Sequence, residues 1–156
     1  MLLSIGMMVK NEEKHLDECL SSLQPILKNI DSELIIIDTG STDETINIAK
    51  KYTNKLYFHK WNNNFSEMRN IVINYCTGKW FFCIDGDEVL ENCSEIIEFF
   101  KSKIYRKYKS ATIEIKNLLD LSDETNFALV PSVRLFEKDS DFKYIGTVHN
   151  KSYRIT

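Results

Sequence analysis

No apolar run in this 156-residue chain approaches the roughly 20 residues a helix needs to cross a bilayer. A surplus of basic charge is also missing. Twenty Lys and Arg stand against 23 Asp and Glu, a formal net charge of −3. A phosphate backbone attracts clustered cations, so nucleic acid is not an expected partner. The one basic run, residues 101–109 with Lys103, Arg106 and Lys107, reads as a solvated helix end and loop. The four cysteines, Cys19, Cys76, Cys83 and Cys93, form no CxxC pair and show no metal-ligand spacing with histidine. That leaves reduced core thiols. Met1-Leu2-Leu3-Ser4-Ile5 meets Lys10 and acidic residues too soon for a secretory leader, so the cytoplasm is the expected compartment. There are no internal repeats, low-complexity tracts or clear linker. With 43% hydrophobic and 28% charged residues, the composition suits one domain with one substantial core.

What is present is a rhythm of short apolar runs and helical patterns. Residues 2–9 read as a buried strand. Asn11 is placed to cap a helix whose first turn holds Glu12 and Glu13, with Leu16, Cys19, Leu20 and Leu23 at helical spacing and Pro25 ending or kinking it. Residues 33–38 carry Leu34-Ile35-Ile36-Ile37, a run suited to a strand covered on both faces. Ser41 and Glu44 have capping-box spacing for a helix to about residue 52. A third strand follows at 55–59. A helix at 64–76 starts at the capping pair Asn64 and Glu67, and a fourth strand at 79–84 ends in Asp85. This β-α-β-α-β-α-β order predicts a parallel sheet wrapped by helices. Beyond it, one helix at 91–104 precedes three β-rich stretches, 108–118, 127–136 and 142–148, predicted to be antiparallel additions to the sheet.

In a parallel α/β sheet, ligands bind beyond the carboxyl ends of the strands. Three polar clusters fall there: Lys10-Asn11-Glu12, Asp38-Thr39-Gly40-Ser41 and Asp85-Gly86-Asp87-Glu88. Turn chemistry alone favours Asn, Asp, Ser and Gly at such places. The acidic loop asks for more. Unit charges about 4 Å apart repel by roughly 4 kcal/mol at an effective dielectric of about 20, and this loop follows the apolar run Trp80-Phe81-Phe82-Cys83-Ile84. A divalent cation with oxygen ligands would relieve the repulsion and bridge to a diphosphate.

Met8-Val9-Lys10-Asn11-Glu12-Glu13, Asp38-Thr39-Gly40-Ser41-Thr42-Asp43, Trp61 with Phe65-Ser66 and Arg69-Asn70, Trp80, and Asp85-Gly86-Asp87-Glu88 occur in order over residues 1–90. In these blocks the chain resembles family 2 glycosyltransferases of the GT-A fold, specifically a bacterial subgroup with this motif set. The resemblance implies a Rossmann-like α/β nucleotide-diphospho-sugar transferase fold: a mainly parallel central sheet with antiparallel additions. It implies one catalytic domain over 1–156, with a nucleotide-binding half at 1–90 and an acceptor-side part at 91–156. The short span after His149 raises the expectation of a catalytic domain truncated at its C-terminus.

By the same resemblance, Val9, Asn11 and Glu12 would line the nucleotide-base pocket and Asp38 would accept a hydrogen bond from uracil N3–H. Arg69 would pair with the nucleotide or its diphosphate, Asp85 would lie near the ribose and sugar, and Asp87 would ligate Mn²⁺ or Mg²⁺. Arg134-Leu135-Phe136 and Gly146-Thr147-Val148-His149 resemble the subgroup's later segment, which makes His149 a second candidate metal ligand. Asn150 stands where the family often has Glu, and an amide cannot serve as a base. Glu88 is a weak candidate for the base, with Asp123 and Glu124 candidates by charge alone. The implied activity is metal-dependent, inverting transfer from a UDP-sugar to an acceptor of unspecified kind: a glycan, a lipid-linked sugar or a peptide. A non-catalytic nucleotide-sugar-binding module would keep Asp38 and Arg69 without transfer. A haloacid-dehalogenase-type phosphatase also uses D-x-D, but after its first strand, where this chain has Lys10-Asn11-Glu12. No G-x-G-x-x-G follows the first strand, against a dinucleotide oxidoreductase.

Overall fold

The computed structural model describes residues 1–118, 123, 125–139, 141–146 and 151–154. Strands β1 (Leu3–Val9), β2 (Ser32–Asp38), β3 (Leu56–Phe58) and β4 (Trp80–Cys83) are parallel to one another. β5 (Ser110–Leu118) and β6 (Phe127–Glu137) extend them into a six-stranded sheet of order β3-β2-β1-β4-β6-β5, with β6 antiparallel to both neighbours. The parallel core with antiparallel additions is the architecture the element order predicts.

Strand periodicity divides the interior into two layers. Leu3, Ile5, Met7 and Val9 of β1, Leu34 and Ile36 of β2, and Trp80 and Phe82 of β4 face one side. There they meet α1 (Leu16–Ser22), α2 (Gln24–Asn29), α3 (Thr45–Ala49) and α5 (Ser94–Lys101). Ile35, Ile37, Phe81 and Cys83 face the other side, against α4 (Phe65–Tyr75). Both faces are covered, which is why the central strands are apolar at successive positions rather than at alternate ones. Full burial of Trp80, Phe81 and Phe82 contributes about 2–3 kcal/mol each.

The helix ends follow local chemistry, with exceptions. Asn64 caps α4 as the sequence predicts, its side chain accepting from Glu67 N at 3.1 Å. The first helix ends just before Pro25, as expected, and Pro25 lies in the first turn of a second helix, α2, where its missing N–H costs nothing. The expected Ser41–Glu44 capping box does not form. Ser41 Oγ instead accepts from Asn11 N at 3.0 Å, and α3 starts only at Thr45. Asn11 caps no helix. It sits at φ 53, and its Oδ1 accepts from Thr42 N at 2.8 Å. The helix expected at 91–104 shortens to α5, because Leu90 N and Cys93 Sγ bond to Ser22 and hold the preceding segment as a loop. Lys103, at φ 61, then ends it ahead of a 3-10 turn at Ile104–Lys107.

β7 (Phe142–Ile145) departs from expectation in its partner. It pairs with β8 (Lys151–Arg154) in a separate two-stranded ribbon rather than joining the main sheet. Its alternation explains the seat: Phe142 and Tyr144 are buried in the α4 layer, while Lys143 and Ile145 face outward.

Candidate active site

The carboxyl ends of β1, β2 and β4 lie side by side, because Val9 is in register with Asp38 and Gly6 with Cys83. The loops after β1 and β2 are stitched together. Glu12 N donates to Thr45 Oγ1 at 2.7 Å, Glu44 N to Glu13 Oε2 at 3.1 Å and Glu13 N to Asp43 Oδ2 at 3.3 Å. The K-N-E-E and D-T-G-S-T-D blocks therefore form one polar shelf, and most of their side chains are spent building it.

Asp38 is only half used. It is 2% exposed at the end of β2, and its Oδ1 accepts from Gly40 N (2.9 Å) and Ser41 N (3.0 Å). Its Oδ2 is buried without a hydrogen-bond partner. A buried carboxylate oxygen left unpaired costs about 1–3 kcal/mol or more, so this acceptor suits a donor brought by a ligand.

The acidic loop is pressed onto the same shelf. Gly86 is buried, and a Cβ there would stand 3.0 Å from Val9 Cγ1 and 3.4 Å from Glu12 Cγ and Leu16 Cδ1. Absence of a side chain between the two aspartates lets the loop close on the end of β1. Asp87 is exposed, and Glu12 is half-buried. Desolvation chiefly, then the negative charge of Asp87, raises the Glu12 carboxyl above its ordinary value. Asp85, by contrast, is neutralised by two arginines. Arg69 Nη2 donates to Asp85 Oδ1 at 3.1 Å, and Arg134 Nη1 lies 3.8 Å from Asp85 Oδ2.

Arg69 reaches this point from the middle of α4, largely buried. Its Nη1 meets Cys83 Sγ, its guanidinium lies 5.6 Å from the centre of the Tyr144 ring, and its Nε is buried without a partner. It lines a small crevice with Met8, Cys83, Ile84 and Asp85. Burial opposes the charge on Arg69, but Cys83 and Asp85 keep its pKa above the ordinary arginine value.

Of the residues singled out from sequence, the structure brings together Val9, Glu12, Asp38, Arg69, Asp85, Asp87 and Glu88 at this end of the sheet, with Asn11 exposed on the rim. Glu88 has both oxygens engaged: Oε1 accepts from Arg134 Nη2 at 2.6 Å and Oε2 from Asp85 N at 2.9 Å. Asp123 is exposed and folds back on its own turn, accepting from Thr125 N and Oγ1. His149, Asn150 and Glu124 lie outside the described residues. Among the described residues, no three His, Cys, Asp or Glu side chains are grouped to hold a metal ion unaided. All four cysteines are free and buried, and burial pushes the Cys19 and Cys76 thiols up to about 12. Sequence reasoning assigned no role to Arg134, Tyr144 or Asn70. Arg134 and Asn70 both fall inside the motif blocks, which was the available signal.

A mainly parallel six-stranded sheet with β6 antiparallel to both its neighbours, flanked by helices on both faces and edged by acidic and basic groups, is the architecture of the GT-A fold. Solved structures agree on the fold: S. aureus TarS 1-349 matches with a TM-score of 0.54 at 24% identity, covering 72% of this chain and 34% of that one. TarS 1-349 in complex with UDP-GlcNAc gives 0.54 at 22% identity, over 72% and 33%. The chain belongs to glycosyl transferase family 2, whose family model matches residues 4–104. Among curated relatives, the SPbeta prophage-derived glycosyltransferase SunS of Bacillus subtilis (strain 168) is 29% identical over 153 residues, 96% of this chain and 34% of SunS. The lipopolysaccharide core biosynthesis glycosyltransferase LpsC of Rhizobium meliloti (strain 1021) is 29% identical over 94 residues, 57% of this chain and 33% of LpsC. The chain thus spans about a third of the length of these relatives. No helix among the described residues is long and apolar enough to cross a membrane.

Proposed function

We propose that this chain binds a UDP-sugar at the carboxyl edge of β1, β2 and β4 and transfers the sugar, with inversion, to an acceptor. The observation that carries the reading is the buried, unpartnered Oδ2 of Asp38 on the edge that also holds Arg69 and the acidic loop. Asp38 would take the uracil N3–H, with Val9, Asn11 and Glu12 beside the base. The binding of UDP-GlcNAc by TarS, a protein of the same fold, supports the choice of donor.

The donor set fits a hard divalent cation, Mn²⁺ or Mg²⁺, that comes with its nucleotide. Such ions are often held by one or two carboxylates plus substrate phosphates rather than by a full protein cage. Asp87 is exposed for that role, and its charge already raises Glu12. His149 is proposed as a further ligand. The ion would supply charge neutralisation on the departing diphosphate.

The chain's own residues do the remaining work. Arg69, charged and held by Asp85 and Cys83, offers planar donors to the diphosphate. Inversion requires the acceptor nucleophile to bond to the anomeric carbon on the face opposite the breaking bond to phosphate, as a base takes the acceptor proton.

Thermal unfolding with nucleoside diphosphates and their sugars, with and without Mn²⁺, tests the reading. A ligand that binds only the folded state raises the melting temperature. UDP with Mn²⁺ is expected to do so. No shift with any nucleoside diphosphate at millimolar concentration would sink the proposal. A shift by UDP-sugar with no UDP released in the presence of acceptors would mark a binding module instead.

A further inference from the structure

Arg134 comes from the antiparallel strand β6, remote in sequence from the acidic loop, yet its guanidinium reaches the carboxylates at both ends of the loop. Its Nη2 donates to Glu88 Oε1 at 2.6 Å. Its Nη1 reaches the Cys83 carbonyl at 3.5 Å, at the end of β4, and stands 3.8 Å from Asp85 Oδ2. Glu88 closes the loop on itself: Oε2 accepts from Asp85 N at 2.9 Å, while Glu88 N donates to Asp85 O at 3.0 Å. Arg134 and Glu88 therefore fix both ends of the four-residue loop whose exposed member is Asp87. Both side chains are largely shielded from water, 16% and 22% exposed, so the pair resists the solvent screening that weakens surface ion pairs.

We propose that Arg134 and Glu88 are positioning residues that hold Asp87 at its working place. A forked guanidinium can tie Glu88, Asp85 and the β4 carbonyl at once. An ammonium in its place keeps the charge but not the fork. This inference rests on the proposed donor site.

The test is calorimetric titration of UDP, with and without Mn²⁺, into the wild-type chain and into Glu88→Gln, Arg134→Lys and the double variant, with melting temperatures measured alongside. Glu88→Gln turns an amide N–H₂ toward either Arg134 or Asp85 N, where two donors conflict. Metal-free UDP affinity is expected to stay within about twofold, whereas the enhancement by Mn²⁺ falls about 10- to 100-fold, the usual cost of losing support behind a metal ligand. The double variant should be no worse than the weaker single one, because both changes release one clamp. Full Mn²⁺ enhancement in Glu88→Gln or Arg134→Lys overturns the inference, and so does additive loss in the double variant. Melting temperatures that fall without any change in enhancement give the pair a purely structural role and also overturn it. Absence of UDP binding to the wild-type chain would instead overturn the donor site itself, which keeps the two failures apart.

Discussion

Asn70 and the backbone of Tyr144 exchange two hydrogen bonds: Asn70 Nδ2 donates to Tyr144 O at 2.9 Å, and Tyr144 N donates to Asn70 Oδ1 at 2.8 Å. A carboxamide thereby imitates a neighbouring strand and clips the β7 ribbon to α4, one residue past Arg69. The same tyrosine packs its ring beneath the Arg69 guanidinium. Asn70→Ala should cost about 1–3 kcal/mol, because it leaves a backbone donor and acceptor unpaired. Hydrogen exchange at the Tyr144 amide should accelerate more than exchange in β1. Unchanged exchange at Tyr144 would show that the ribbon is held by Phe142 and Tyr144 packing alone.

Asp38 and Asp87 are expected to fail in different ways. Asp38→Ala removes the unpartnered acceptor and should weaken binding of uridine itself, metal or not, by about 1–3 kcal/mol. Asp87 is exposed, so Asp87→Asn should leave the fold intact and remove only the metal-dependent part of UDP affinity. Titrations with uridine and UDP, each with and without Mn²⁺, separate the two. Loss of folding in Asp87→Asn, with metal dependence retained, would make the acidic loop structural.

Gly86→Ala probes how tightly the acidic loop sits on β1. The added methyl meets Val9 Cγ1 at 3.0 Å, so the Val9 side chain or the loop must give. A destabilisation of about 1 kcal/mol is expected by urea unfolding, with a larger proportional loss in Mn²⁺-dependent UDP affinity. Wild-type stability together with wild-type metal affinity would mean that the loop stands off the strand.

At the opposite end of the sheet, acid should expose a separate weakness. Burial would raise the Glu33 carboxyl, but hydrogen bonds from Lys55, Ser4 and Thr77 outweigh it and bring the value from 4.5 down to about 2. A carboxylate whose pKa is depressed on folding contributes stability that is complete above its ordinary value and lost as pH falls through the folded one. The contribution is about 3 kcal/mol at neutral pH. Stability of the wild-type chain should therefore decline from about pH 4.5 toward pH 2, whereas Glu33→Gln should begin lower and decline less across that interval. Identical acid limbs for the two proteins would refute the role of Glu33.

The parallel core was legible because Leu34-Ile35-Ile36-Ile37 and Trp80-Phe81-Phe82-Cys83 can be buried only between two helical layers. The shelf was legible as three polar clusters, since strand ends of a parallel sheet must converge. What sequence periodicity could not reveal is which polar side chains are consumed by neighbouring loops. Asn11 and Ser41 look like caps, yet they bond to each other's loops 30 residues away. The same holds for Glu88, which is bonded to Arg134 46 residues on. Pairings across such sequence distances leave no local pattern. The pattern at 142–148 points to the main sheet, yet β7 pairs with β8, for a related reason: alternation in β7 shows that one face is buried, not that α4 is what buries it.

A structure of the chain with UDP and Mn²⁺ bound tests the donor site most directly. The expected result places uracil N3 within hydrogen-bond distance of Asp38 Oδ2 and the diphosphate between Arg69 and Asp87. A nucleotide seated elsewhere, with Asp38 Oδ2 still unpartnered and no ion at Asp87, would contradict it.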